Sequence, residues 1–203
     1  VGILLYDGLD LIDSGGPYEV FVTASRLVER DGGEGPFDVV TLSLDGGPVT
    51  SYGGLGLVPH ASVDDAGPLD VVVVPGTVDV DAATGDPALV AAVERLAAGA
   101  PLTASVCTGS FLLASAGLLE GRDWTTHWED VDLLAERLAA RGGGHGRGVR
   151  DVRWVDAGPI VTGAGLTSGI AMSLHLVARL AGPDVAARTA RQLDHDWSPD
   201  PAR

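Results

Sequence analysis

The chain contains no lysine, no asparagine and only one cysteine. All 13 basic residues are therefore arginines, set against 28 acidic residues for a net charge of −15. The missing lysine and asparagine reflect GC-rich coding DNA more than any function. The shortage of positive charge does bear on function, because neutralising phosphates takes a basic face, which argues against nucleic acid as a direct partner. A lone cysteine excludes an intrachain disulfide framework and any zinc site built from several cysteines. Residues 102–119 and 157–178 contain no Asp, Glu, Lys or Arg. Both stretches are broken by Gly, Ser and Thr, so they read as buried strand–turn–helix units and not as membrane spans. No charged-then-apolar leader precedes them, so the expected location is cytoplasmic.

What is present fits one large domain over residues 1–203, with 45% hydrophobic and 20% charged residues. An apolar run from Val1 to Tyr6 predicts a buried strand, and Pro17 suits the first position of a helix reaching about Arg30. Strand-like runs follow at Phe37–Ser43 and around Leu55–Pro59, with glycine-rich turns that suggest a small hairpin. The strongest strand is Asp70–Pro75, and a helix from about Pro87 to Ala98 leads to another strand at Leu102–Val106. Cys107 follows at once, then a helix from Gly109 to about Leu118. The second half predicts a helix over Trp128–Ala140, a glycine-rich loop at Gly142–Gly148, and short strands at Val152–Val155 and Ile160–Thr162. Helices at Thr167–Ala181 and Pro183–Leu193 close the pattern. Alternating helices and fully apolar strands predict an α/β sandwich, a mostly parallel sheet covered on both faces. Sites in such sheets form at the carboxyl ends of strands, where Asp13, Gly76 and Cys107 are each expected.

The segment Ala104-Ser105-Val106-Cys107-Thr108-Gly109-Ser110 has the logic of a nucleophile elbow. A nucleophile on a strained strand-to-helix turn needs small residues two positions before and after it, here Ser105 and Gly109. Taken alone, a single intracellular cysteine is more often inert core; the elbow spacing favours a reactive thiol. Placement over a helix N-terminus predicts a depressed thiol pKa. Asp13 reads either as a turn or capping carboxylate or as a proton-handling partner of the sulfur, and spacing leaves both open. His127, flanked by Trp124 and Trp128, reads as packing more than catalysis, and His195, between Asp194 and Asp196, as a solvated helix end.

Five stretches occur in one order: LDLIDSGGPYEVF, DVVVVPG, SVCTGSFLLASAGLLEGR, TTHW and VTGAGLTSGIAMSLHL. Together they resemble the ThiJ/PfpI superfamily, related in fold to class I glutamine amidotransferases, over Val1 to about Asp194. Within it the likeness is to isonitrile hydratases and to the ligand-sensing domains of AraC-type regulators. The resemblance implies a flavodoxin-like three-layer sandwich in which Cys107 is the nucleophile, Asp13 its partner carboxylate and Thr108 the residue after the nucleophile. It also implies that the Gly76 and Thr108 amides bind an oxyanion. It implies a small-molecule substrate, no metal or organic cofactor, and a homodimer formed near the site. Where that superfamily has two glycines, this chain has Gly76-Thr77, so the Thr77 side chain is expected to crowd the pocket or alter the loop. Three functions are consistent with this reading: hydration of an isonitrile to the N-formamide, a non-enzymatic ligand or redox sensor, and a glyoxalase-like hydratase with His127 as acid–base.

Overall fold

A computed structural model describes residues 1–142 and 146–202. In chain order, β1 (Gly2–Leu4) feeds α1 (Leu11–Arg30), and β2 (Val40–Ser43) follows. The short strands β3 (Val49–Thr50) and β4 (Gly56–Leu57) pair antiparallel as a hairpin, so the run near Leu55 is partnered by Val49–Thr50, which was not expected as a strand, and not by the Phe37–Ser43 run. After β5 (Ala61–Ser62) and β6 (Val71–Val74) come α2 (Val80–Gly85) and α3 (Pro87–Gly99). Then β7 (Leu102–Ser105) runs into α4 (Gly109–Ser115). A 3₁₀ turn at Trp128–Asp130 opens α5 (Val131–Ala140), and β8 (Trp154–Asp156), β9 (Ile160–Gly163), α6 (Ser168–Ala181) and α7 (Pro183–Gln192) complete the chain. Of the loop expected at 142–148, residues 143–145 lie outside the described residues.

One seven-stranded sheet has the order β5-β2-β1-β6-β7-β9-β8, parallel except where β8 runs against β9. Helices α1, α6 and α7 pack together, and α2, α3 and α4 form a second group. Cover on both faces explains why β1, β6, β7 and β9 are buried at every residue instead of alternating. Each of the four valines of β6 is at most 1% exposed, and each such burial stabilises the fold by roughly 1.5–3 kcal/mol. The direction of strand addition reverses between β1 and β6, since β1 leads to β2 on one side while β6 lies on the other. Such a switch point opens a crevice beyond the carboxyl ends of the strands. Among the described residues, no helix is long and apolar enough to cross a membrane.

The first helix corrects the sequence expectation. It starts at Leu11, so Pro17 lies inside it and Asp13 belongs to its first turn. Pro17 has no N–H to give the Asp13 carbonyl, which is why a helix start at Pro17 looked natural. The structure instead uses Asp10 as the N-cap residue, and its N–H donates to the Gly76 carbonyl at 2.9 Å. That bond anchors the helix start to the loop after β6. His195 is also corrected: it is half-buried, its Nε2 has no partner, and burial lowers its pKa.

Candidate active site

Cys107 stands between β7 and α4 at φ +55°, the left-handed region that side chains other than glycine rarely occupy. Its N–H faces the carbonyls of Gly163 and Ala164 at 3.2 and 3.1 Å. Its carbonyl accepts the Thr126 hydroxyl at 3.0 Å. The turn is closed from below by Gly109, where a Cβ would meet the Val74 carbonyl oxygen at 2.3 Å. The small residue expected two places after the nucleophile is therefore a matter of space. Ser105, two places before, is fully buried.

Asp13 reaches this turn from α1. It is 0% exposed, and its Oδ2 accepts the Gly76 N–H at 3.0 Å, while Oδ1 is buried without a hydrogen-bond partner among the described residues. Gly76 must be glycine, because a Cβ there would sit 2.6 Å from Thr108 Oγ1 and 2.8 Å from Asp13 Oδ2. One oxygen of Asp10, one of Asp13 and the Cys107 sulfur lie within 4.8 Å of one another. Two carboxylates and a thiol so placed could hold a cation, although the chemistry derived below needs none.

Burial dominates the electrostatics. It raises the Asp13 carboxyl to about 7, against the pull of the Gly76 N–H; Asp10 pushes it further up, and the Cys107 thiol pulls it back. The Cys107 thiol rises to about 12, first through burial and then through the Asp13 charge, while the Thr108 and Leu166 amides pull it down. The depressed thiol expected from the helix N-terminus is therefore corrected: removing the sulfur from water outweighs the amides that face it. Between these two values the pair holds a single proton. Tyr6, buried beneath it, donates to the Pro75 carbonyl at 2.7 Å, and burial and the neighbouring acids raise its pKa.

The other residues expected from sequence take narrower places. The Gly76 amide is occupied by Asp13, so it is not a free oxyanion donor here, whereas the Thr108 amide points at the sulfur. The Thr77 hydroxyl donates to the Gly8 carbonyl at 2.8 Å, and Thr77 N–H bonds Thr108 Oγ1 at 2.8 Å. The residue in place of a second glycine thus ties the loop after β6 to the loop after β1. His127 lies against Gly165, its Nδ1 3.3 Å from Asp130 and 3.8 Å from Glu129. Of the TTHW motif, Thr126 is the residue bonded to the elbow. Sequence reasoning missed Asp10. The i, i+3 spacing of Asp10 and Asp13 carries the signal, but only once the helix is known to start before Asp13.

Residues 1–179 match the DJ-1/PfpI family. The chain is 35% identical over 199 residues to an isonitrile hydratase from Pseudomonas putida, covering 98% of this chain and 79% of the relative. It is 33% identical over 198 residues to the HTH-type transcriptional regulator GbdR of Pseudomonas aeruginosa; this covers 97% of the chain but spans only 50% of that regulator. Among solved structures, a ThiJ/PfpI family protein from Pseudomonas syringae superposes with a TM-score of 0.82 at 30% identity, over 98% of this chain and 76% of that one. DJ-1 of Schizosaccharomyces pombe shares the fold, with a TM-score of 0.73 at 15% identity over 96% of this chain and 98% of its own.

Proposed function

The chain belongs to the DJ-1/PfpI family, and from that premise we propose that it hydrates an isonitrile, R–NC, to the N-formamide. The observation that carries this reading is the buried pair itself: a thiol and a carboxyl that hold one proton between them, on a strained turn with the sulfur residue only 4% exposed. A sulfur so enclosed favours a slim head group, and the terminal carbon of an isonitrile carries no substituent. That carbon must receive both a nucleophile and a proton, and the pair holds both. Cys107 sulfur bonds to the carbon while the shared proton passes, by way of Asp13, to the same carbon. The product is a neutral thioimidate, R–N=CH–S–Cys107. Water then adds to it, and breaking the C–S bond releases R–NH–CHO and restores the proton to the pair. No oxyanion forms when the sulfur adds, so an occupied Gly76 amide is no obstacle to this step.

A second reading rests on the regulator likeness. The same elbow would then bind a small molecule without turning it over, as part of a longer chain. Formamide release from cyclohexyl and aryl isonitriles by the intact protein separates the two. Turnover that requires Cys107 supports the hydratase; saturable binding with no formamide from any isonitrile moves the assignment to the sensor.

We also assign a homodimer contact to the outward face of α1. Leu11 and Ile12 are 41% and 36% exposed there, beside Gly15, Gly16 and the exposed Tyr52. Symmetric association of such a face is the commonest arrangement in soluble oligomers. Sedimentation showing a monomer at micromolar concentration would overturn it.

A further inference from the structure

We propose that Asp10 is a third working group of this site: it takes a proton from the water that attacks the thioimidate and passes it to the substrate nitrogen. Asp13 then takes the hydroxyl proton on collapse and returns it to the sulfur. The inference rests on the hydratase reading. Its geometric basis is that an Asp10 oxygen lies within 4.8 Å of both an Asp13 oxygen and the Cys107 sulfur. The two carboxylates sit differently. Asp13 is fully buried against Gly76, whereas Asp10, at the N-cap position of α1, is half-buried.

The chemistry separates into two tasks. Adding water across R–N=CH–S–Cys107 moves one water proton to nitrogen and puts hydroxyl on carbon. Collapse then removes the hydroxyl proton, forms the carbonyl and breaks the C–S bond. Asp13 has just given up the shared proton and is a carboxylate, placed to receive the hydroxyl proton beside the departing sulfur. Asp10 is a second carboxylate beside it, so the first water proton can be taken while Asp13 stays free for the hydroxyl proton. The water thereby contributes its oxygen to the carbonyl, one proton to nitrogen and one to the Asp13–Cys107 pair, so the site returns to its starting state. Burial lifts Asp13 to about 7. Burial raises Asp10 as well, and the nearby His127 offsets part of that rise.

Intact-protein mass spectrometry after mixing with an aryl isonitrile, run beside a formamide assay, tests this. Asp10→Asn keeps a good capping residue, and thermal melting checks that it folds. Formamide release is expected to fall about 10²-fold, while a Cys107 adduct heavier by one isonitrile accumulates. Asp13→Asn should lose release without accumulating that adduct, and Asp10→Glu should recover part of the rate. Wild-type release from Asp10→Asn, or lost release with no adduct, overturns the role of Asp10 and leaves the hydratase standing. Neither adduct nor formamide from the unaltered protein overturns the hydratase reading, and the role of Asp10 with it.

Discussion

Two hollows at the carboxyl ends of the strands invite comparison. One is a cavity of about 580 Å³ that includes Asp7, Asp45, Asp79 and Asp86 in its lining. The other is the narrow ground around Cys107. By size and charge the cavity is the more conspicuous. Yet all four of its aspartates hold backbone N–H groups: Asp7 that of Thr50, Asp45 that of Gly47, Asp79 that of Ala82, and Asp86 those of Ala88 and Leu89. They make turns and cap helices. At the cysteine, Asp13 also holds a backbone N–H, that of Gly76, but its other oxygen is buried with no hydrogen-bond partner among the described residues, beside a residue in left-handed backbone. Leaving a buried polar atom unpaired costs about 1–3 kcal/mol, so the fold tolerates here what it avoids in the cavity.

The sharpest test of that contrast is Cys107→Ala, which is expected to abolish formamide release outright while thermal melting stays cooperative. Next in size is Asp13→Asn, with an expected loss of about 10²–10⁴-fold in turnover. Turnover of the unaltered protein should rise with pH through about 7, as the Asp13 carboxylate becomes available to take the thiol proton, and Asp13→Asn should remove that rise. Stability runs the other way. The folded-state value of about 7 lies above the unfolded 3.8, so the contribution of Asp13 is full below 3.8 and is lost as pH rises through 7. Melting temperature followed across that window should therefore decline with pH, less steeply in Asp13→Asn.

A smaller effect is expected from Gly109→Ala. The added Cβ meets two backbone carbonyls, and an overpacked turn of this kind costs about 1–3 kcal/mol, measurable by urea unfolding. The smallest belongs to the cavity: Asp86→Ala removes a cap worth about 1 kcal/mol and should leave formamide release unchanged. A large loss of turnover in Asp86→Ala would break the comparison, because the cavity would then belong to the site.

The elbow was legible in the chain because its constraint is local. A nucleophile between strand and helix needs small residues at fixed offsets, and Ser105 and Gly109 stand at those offsets. The parallel sheet was legible because strands covered on both faces must be apolar throughout, as Val71–Val74 are. The hairpin near Leu55 was visible in its glycines, but β5 and α2 were not, being only 2 and 6 residues long. The start of α1 was misplaced for a definite reason. Pro17 is a strong local signal, and it was outweighed by the tertiary bond from Asp10 N–H to Gly76, 66 positions away. That error hid Asp10, since its spacing from Asp13 has meaning only on a helix.

The sequence by itself determined the α/β class and the strained turn at Cys107, because periodicity and steric limits act within a few positions of the chain. The tertiary structure alone decided which residues meet. It brought Asp10 and Asp13 to the sulfur, gave the Gly76 amide to Asp13 and turned the Thr77 hydroxyl to Gly8. It also reversed the expected direction of the thiol pKa, because desolvation depends on what packs around a group and not on its neighbours in sequence.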